Sequence, residues 1–268
     1  MRKRIFFAAV LATGLAAAMG QGAKAQQDTT KRKMKDKFDI NYGLGISIGK
    51  KDSTTKKSAP KGRFIGGITF TRFDLGFSRL IDNGSFSLSS NNRFLSYRGS
   101  KTSTVSFDVL QFGYRFNPNF KIYVAGGFDW TLIRLRDNIT IQRGGENLTY
   151  IEEPIQFSKN RFSNSYVHIP LNFEFRTKED SEGRRFYFVI GPEVSFLLGG
   201  KVKQISEERG KQKIKDDYHF QPVRYGGTLR IGYGWIGFFT KYSFNDMFDS
   251  PAQKGLKNMS FGVTLGLN

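Results

Sequence analysis

The stretch Asn164-Ser-Tyr-Val-His-Ile-Pro-Leu-Asn-Phe-Glu-Phe-Arg176 decides the fold. Read with a period of two, Val167, Ile169, Leu171, Phe173 and Phe175 fall on one side, and His168, Asn172, Glu174 and Arg176 on the other. Successive side chains of an extended strand point to opposite faces, so this segment is a strand with one apolar and one charged face. It is also longer than the roughly 9–11 residues a tilted strand needs to cross a bilayer.

The same alternation recurs along the chain. It predicts strands over Thr69–Leu80, Val105–Phe116, Phe120–Leu135, Phe186–Leu198, Val223–Tyr233, Ile236–Asn245 and Asn258–Asn268. In Val105–Phe116 the apolar phase switches near Val109, which predicts a bulge. Long connections (81–104, 136–163, 199–222 and 246–257) alternate with short ones (117–119, 177–185 and 234–235). A membrane barrel does this, with short periplasmic turns and long outer loops. The expected fold class is all-β: an eight-stranded antiparallel transmembrane β-barrel with a flexible N-terminal extension.

The polar face distinguishes a membrane barrel from a soluble one. A soluble barrel turns its apolar face inward, whereas here the set expected to face the lumen is Arg72, Asp74, Asp129, His168, Glu174, Arg176, Glu193, Arg224, Arg230 and Lys241. Eight strands enclose an interior just wide enough for side chains. Charges confined there need partners, because an isolated buried ion costs several kcal/mol. The mixed signs allow pairing, so the ten residues are expected to fill and pin a closed lumen. Aromatics around the short turns (Phe116 and Phe120, Phe175 and Phe186, Tyr233 and Trp235) fit an interfacial girdle.

Composition agrees. A mean hydropathy of −0.42 excludes a bundle of membrane helices, and the absence of cysteine excludes disulfide frameworks and thiolate chemistry. Arg2, Lys3 and Arg4, the apolar run Ile5–Met19 and the site Ala23-Lys24-Ala25 form a cleavable export signal over residues 1–25. Cleavage removes four cations from the formal charge of +19. Residues 26–62 carry ten Lys or Arg against four Asp or Glu and form a basic N-terminal periplasmic extension, in which Phe38–Gly49 alternates weakly enough for one short strand. Residues 63–268 form the barrel domain.

Ser165–Phe175 resembles the Y-x-x-(V/I)-P-L strand of the PorT-like outer-membrane β-barrel family of Bacteroidetes-type bacteria. Pro222–Gly234 resembles a later strand of that family, and Lys241-Tyr242 and Phe261–Leu267 follow in the expected order. The resemblance covers residues 63–268 and implies an eight-stranded outer-membrane barrel. One founding member is linked to assembly of a secretion system, a role that fold alone does not transfer. Two features depart from common barrel patterns. The chain ends Leu267-Asn268 where outer-membrane proteins usually end in an aromatic residue, and Pro170 interrupts a strand, which predicts a local bulge.

The chemistry is sparse. His168 lies mid-strand and is expected to be a hydrogen-bonded lumen residue. His219, beside Asp216, Asp217 and Tyr218, is where a lipid-modifying enzyme would have to place its base. No cofactor or metal site is expected, and the glycine-rich pieces at 43–47 and 226–232 do not precede helices. The expected protein is a monomeric structural or interaction barrel, with a lipid-A or lipid-modifying enzyme as the alternative and a small-solute channel as the third reading. Expected partners are outer-membrane lipids and lipopolysaccharide, together with other envelope proteins. Export excludes nucleic acid.

Overall fold

The computed structural model describes residues 39–40, 62–145 and 147–266. The predicted signal at 1–25 and most of the 26–62 extension lie outside the described residues. Of the Phe38–Gly49 segment, Asp39–Ile40 (β1) is described, and it pairs in parallel with Ile65–Gly66. The barrel strands are Arg63–Asp82 (β2), Ser103–Asn117 (β3), Phe120–Arg134 (β4), Lys159–Arg176 (β7), Phe186–Ser206 (β8), Val223–Tyr233 (β10), Ile236–Ser243 (β11) and Leu256–Gly266 (β12). Three short strands belong to the long loops: Ile139–Ile141 (β5), Tyr150–Glu152 (β6) and Gly210–Asp216 (β9).

The eight barrel strands form one closed ring in the order β2-β12-β11-β10-β8-β7-β4-β3, with β3 returning to β2. Every contact in the ring is antiparallel. Closure leaves β12 against β2 with Phe261 opposite Phe77 and Ser260 opposite Ser78. The predicted bulge is present: the β3–β4 register shifts between Asp108 and Leu110, so Val109 is the extra residue. The bulge lets Val105 and Phe107 share the outer face with Leu110 and Phe112 despite the change of phase.

Pro170 corrects an expectation. Its register with β8 is unchanged from Tyr166 to Arg176, and its register with β4 is the same on both sides of it. The β7–β8 shift lies instead at Ser165/Tyr166. The β4 ladder has a gap between Val124↔Leu171 and Gly127↔His168, and the proline, which lacks an N–H, sits in that gap. A missing donor is therefore accommodated without an inserted residue.

The core lies in two places of opposite character. Within the ring most inward side chains are polar, with Ala125, Val189 and Phe239 among the exceptions, and the outward ones are largely apolar. Leu75, Val124, Ile190, Ile231, Phe238 and Val263 all stand exposed on the outside. Above the ring, at the long-loop end, the polarity inverts. Leu80, Ile133, Phe162, Val202 and Leu256 at the strand tops pack with Leu95, Ile139, Ile141, Leu148, Tyr218, Phe220, Met247 and Phe248 from the loops in one apolar cluster. All four long connections contribute to it. The Phe162 ring is fully buried and stacks on Phe220 at 4.8 Å, and Phe220 stacks on Phe248 at 5.0 Å.

Hydrogen bonds pin the loops to this cap. Asp82 accepts from the Ser89 N–H at 2.7 Å and the Asn92 amide at 3.0 Å. The Asn160 and Gln204 amides both donate to the Ile139 carbonyl, at 2.7 and 3.0 Å, and the Tyr166 hydroxyl donates to the Gln221 carbonyl at 2.9 Å. At the other end, aromatic rings touch in a chain from Phe64 through Tyr114, Phe116, Phe120 and Phe175 to Phe188, with centroids 4.9–6.3 Å apart. This is the girdle predicted around the short turns, and Phe186–Tyr233 at 4.6 Å extends it.

An apolar side chain on the outer face of the ring should be replaceable only at a cost set by lipid. Val124→Arg is expected to lower folding stability in bilayers by about 2–4 kcal/mol, read from urea unfolding in phospholipid vesicles. Wild-type stability of that variant would place Val124 away from lipid.

Candidate functional site

The lumen network is built by strand alternation. On each strand the residue between two lipid-facing side chains points inward, which places charges from seven strands within reach of one another. Nine of the ten predicted residues are buried, and Arg176 is partly exposed at the short-turn mouth. They sort into three levels along the barrel axis.

At the short-turn end, Glu174 is fully buried and gathers three cations. Arg72 approaches one of its oxygens at 2.8 Å, Lys121 the same oxygen at 3.2 Å, and Arg176 Nε bonds the other. The Tyr123 ring lies 4.7 Å from the Lys121 ammonium and 5.9 Å from the Arg72 guanidinium. Cation–π attraction therefore adds to an otherwise cation-rich level.

At mid-barrel, Arg230 forks onto Asp74, with Nη2 at 2.8 Å and Nε at 3.3 Å from Oδ2, while Nη1 donates to Thr228 at 3.0 Å. Beside it His168 Nε2 meets Asp108 Oδ1 at 2.8 Å. Gly127 makes room for this pair. A Cβ there would stand 2.0 Å from the Phe107 carbonyl oxygen and 2.8 Å from His168 Nε2.

Toward the loop end, Arg224 bonds Asp129 and stacks on the Tyr166 ring at 4.3 Å. Lys241 spans the upper two levels. Its Nζ lies 2.9 Å from Ser106, 3.4 Å from Glu193, 3.8 Å from Asp129 and 4.0 Å from Asp74. A cavity of about 20 Å³ lined by Asp129, Glu193, Arg224 and Lys241 is the size of a single water molecule.

The ten predicted residues thus fall into three contact groups: Glu174 with Arg72 and Arg176, the His168 pair, and Arg230–Asp74 joined through Lys241 to Asp129, Arg224 and Glu193; Lys121 completes the first group and Asp108 the second. Neither is in the set read from the sequence, although the period of two is a signal that finds both: Asp108 lies inward just before the Val109 bulge and Lys121 beside the outward Ile122. What the sequence could not show was their partners, since His168 and Glu174 reach them from another strand.

The sequence matches the outer membrane protein beta-barrel domain family over residues 24–249. The chain belongs to this family. The match takes in seven of the eight barrel strands and stops before β12. Among solved structures the chain is similar to Ail, the attachment invasion locus protein of Yersinia pestis, determined in complex with the heparin analogue sucrose octasulfate. Identity is 16%, the TM-score 0.32, and the alignment covers 77% of this chain and 98% of that one. No curated protein matches.

In an outer-membrane barrel the short turns face the periplasm and the long loops face outward. Glu174 and its cations therefore stand at the end that carries the short turns, and the apolar cap at the end that carries the long loops. His219, in the loop between β9 and β10, contributes to neither level. Its Nε2 contacts the Gly144 carbonyl at 3.5 Å, and its backbone has a positive φ of 54° beside Tyr218 at 49°. Among the described residues no group of three or more His, Asp or Glu side chains is arranged to hold a metal ion.

Glu174→Gln should leave Arg72 and Lys121 buried beside a neutral amide. We expect it to cost about 3–5 kcal/mol in urea unfolding of the detergent-folded protein. Arg176→Gln, at the partly exposed mouth, should cost clearly less. Equal costs would show that the three cations do not depend on a common carboxylate.

Proposed function

We propose that this is a closed, monomeric outer-membrane barrel of the PorT-like kind that works through its outer surface as a structural or recognition protein. In this reading it is exported from the cytoplasm of a Gram-negative cell by a leader removed after Ala25. It is neither an enzyme nor a channel.

The observation that carries the reading is the apolar cap. Loops that merely gate a pore have no need of a shared core, whereas Phe162, Phe220 and Phe248 tie three elements into one packed unit. A surface held in one shape before it meets a partner loses less conformational entropy on binding. Below it, interlocked charges occupy the lumen, as an eight-stranded interior allows.

The cap also carries a groove suited to recognition. A cleft of about 500 Å³ runs between Asn91, Asp137, Asn138 and Glu152 beside Phe94 and Tyr150. Those two rings stack at 4.7 Å with their planes 10° apart. Against the enzymatic alternative stands the setting of His219, whose contact is a backbone carbonyl rather than a carboxylate that could orient it.

Purified protein in planar bilayers should give no steady conductance, and lipid A extracted from producing cells should keep its mass. Large, stable openings would establish a channel instead. A change in lipid A mass that His219→Ala abolishes would establish an enzyme.

A further inference from the structure

The long loops are close to neutral in total charge, yet the fold sorts their cations onto one face. Arg134 of β4 lies directly opposite Arg161 of β7, Arg161 opposite Lys203 of β8, and Lys203 opposite Lys213 of β9. Four cations therefore stand in one unbroken cross-strand row. Lys201 opposite Lys215 forms a second row on one side of it, and Lys159 and Lys211, both opposite Ile205, flank it on the other.

Like charges directly opposite each other destabilise a sheet. Among the described residues none of these eight side chains makes an ion pair with a carboxylate. Glu153 pairs with Arg209 at 3.0 Å, outside the rows. Arg134 donates to the Ser158 carbonyl at 2.5 Å, while Arg161 Nε is buried without a hydrogen-bond partner. A fold that accepts four adjacent repulsions implies an anionic counterpart.

Position indicates which anion. The inward neighbours of the row, Ile133, Phe162 and Val202, are buried in the cap, so Arg134, Arg161 and Lys203 point outward. They continue the face that meets lipid. Below Arg134 on the same side of β4 stand Leu132, Trp130 and Phe128, and Trp130 touches Phe107 at 5.4 Å and Phe128 at 6.0 Å. Aromatic clusters of this kind mark the bilayer interface. Below Lys203 and Lys201 on β8 stand the exposed Leu198 and Phe196. The cations thus begin where the acyl chains end.

We propose that this ladder, Arg134, Arg161, Lys203 and Lys213 with its lysine flank, binds the phosphate groups of outer-leaflet glycolipid. The proposal rests on the reading above for which end faces out, and it names the partner of that surface. A soluble sulfated polysaccharide would need cations on the cap or its groove, whereas these lie on the wall.

The test uses full-length wild type and the double variant R161Q/K203Q in phosphatidylcholine nanodiscs. These are prepared alone, with bis-phosphorylated lipid A, or with lipid A stripped of its phosphates. In phosphatidylcholine alone the variant should unfold at the wild-type temperature or above it, because all three repulsive contacts of the row are gone. Bis-phosphorylated lipid A should raise the unfolding temperature of wild type but not of the variant, and native mass spectrometry should show it held about tenfold less tightly by the variant. Equal stabilisation of both proteins would overturn the proposal, as would an equal response to dephosphorylated lipid A. Stabilisation of wild type by soluble heparin, with none from lipid A, would overturn it in favour of a polysaccharide site. Wild type and variant should both stay non-conducting, so a failure here is separable from a failure of the closed-barrel reading.

Discussion

The structure depends on compensating charge inside a space too narrow for bulk water. Arg230 and Asp74 sit at mid-barrel, both nearly inaccessible, with the guanidinium forked across the carboxylate. An unpaired ion there would cost more than most single interactions contribute. Glu174, Asp74 and Asp129 therefore each serve more than one strand. Glu174 holds β2, β4 and its own strand β7 at the short-turn mouth, and Lys241 of β11 links Asp74 of β2 with Asp129 of β4 and Glu193 of β8. The network fastens strands that are not neighbours in the ring, which backbone ladders cannot do.

Once the lumen is polar, the rest of the molecule follows. The outer face must be apolar to meet lipid, so the hydrophobic effect cannot hold the barrel's interior together as it does in a soluble protein. A water-excluding core does form, above the membrane, where Phe162 and Val202 turn inward on the same strands that carry His168 and Glu193 below. The long loops are the walls of that core. Their outer surface is then fixed in shape, and the strands below it bring cations into cross-strand rows.

Much of this was legible in the sequence because the strand period is short and local. The alternation in Asn164–Arg176 identified the inward set, and the phase change at Val109 located a bulge that the register confirms. The partners of Asp108 and Lys121 were not legible, since they depend on which strand stands next and in what register. The cap was missed for the same reason. Leu95, Leu148, Phe220 and Met247 come from four separate loops with no common period, so only the closed ring brings them together. The cationic ladder looked mild as a sum of loop charges, because a sum discards the pairing that places Arg161 beside Lys203. Pro170 within a strand predicts a bulge, whereas a gap in one ladder suffices.

The central claim, that paired charges hold the lumen, is tested most directly by a double-mutant cycle on Asp74 and Arg230. Stabilities of wild type, Asp74→Asn, Arg230→Met and the double variant are compared by reversible urea unfolding in lipid vesicles. Each single change should cost about 3–5 kcal/mol by leaving its partner charged and alone, and the double variant should cost clearly less than the sum. Additive costs would contradict the account, because they would mean that the two groups stabilise the barrel independently of each other.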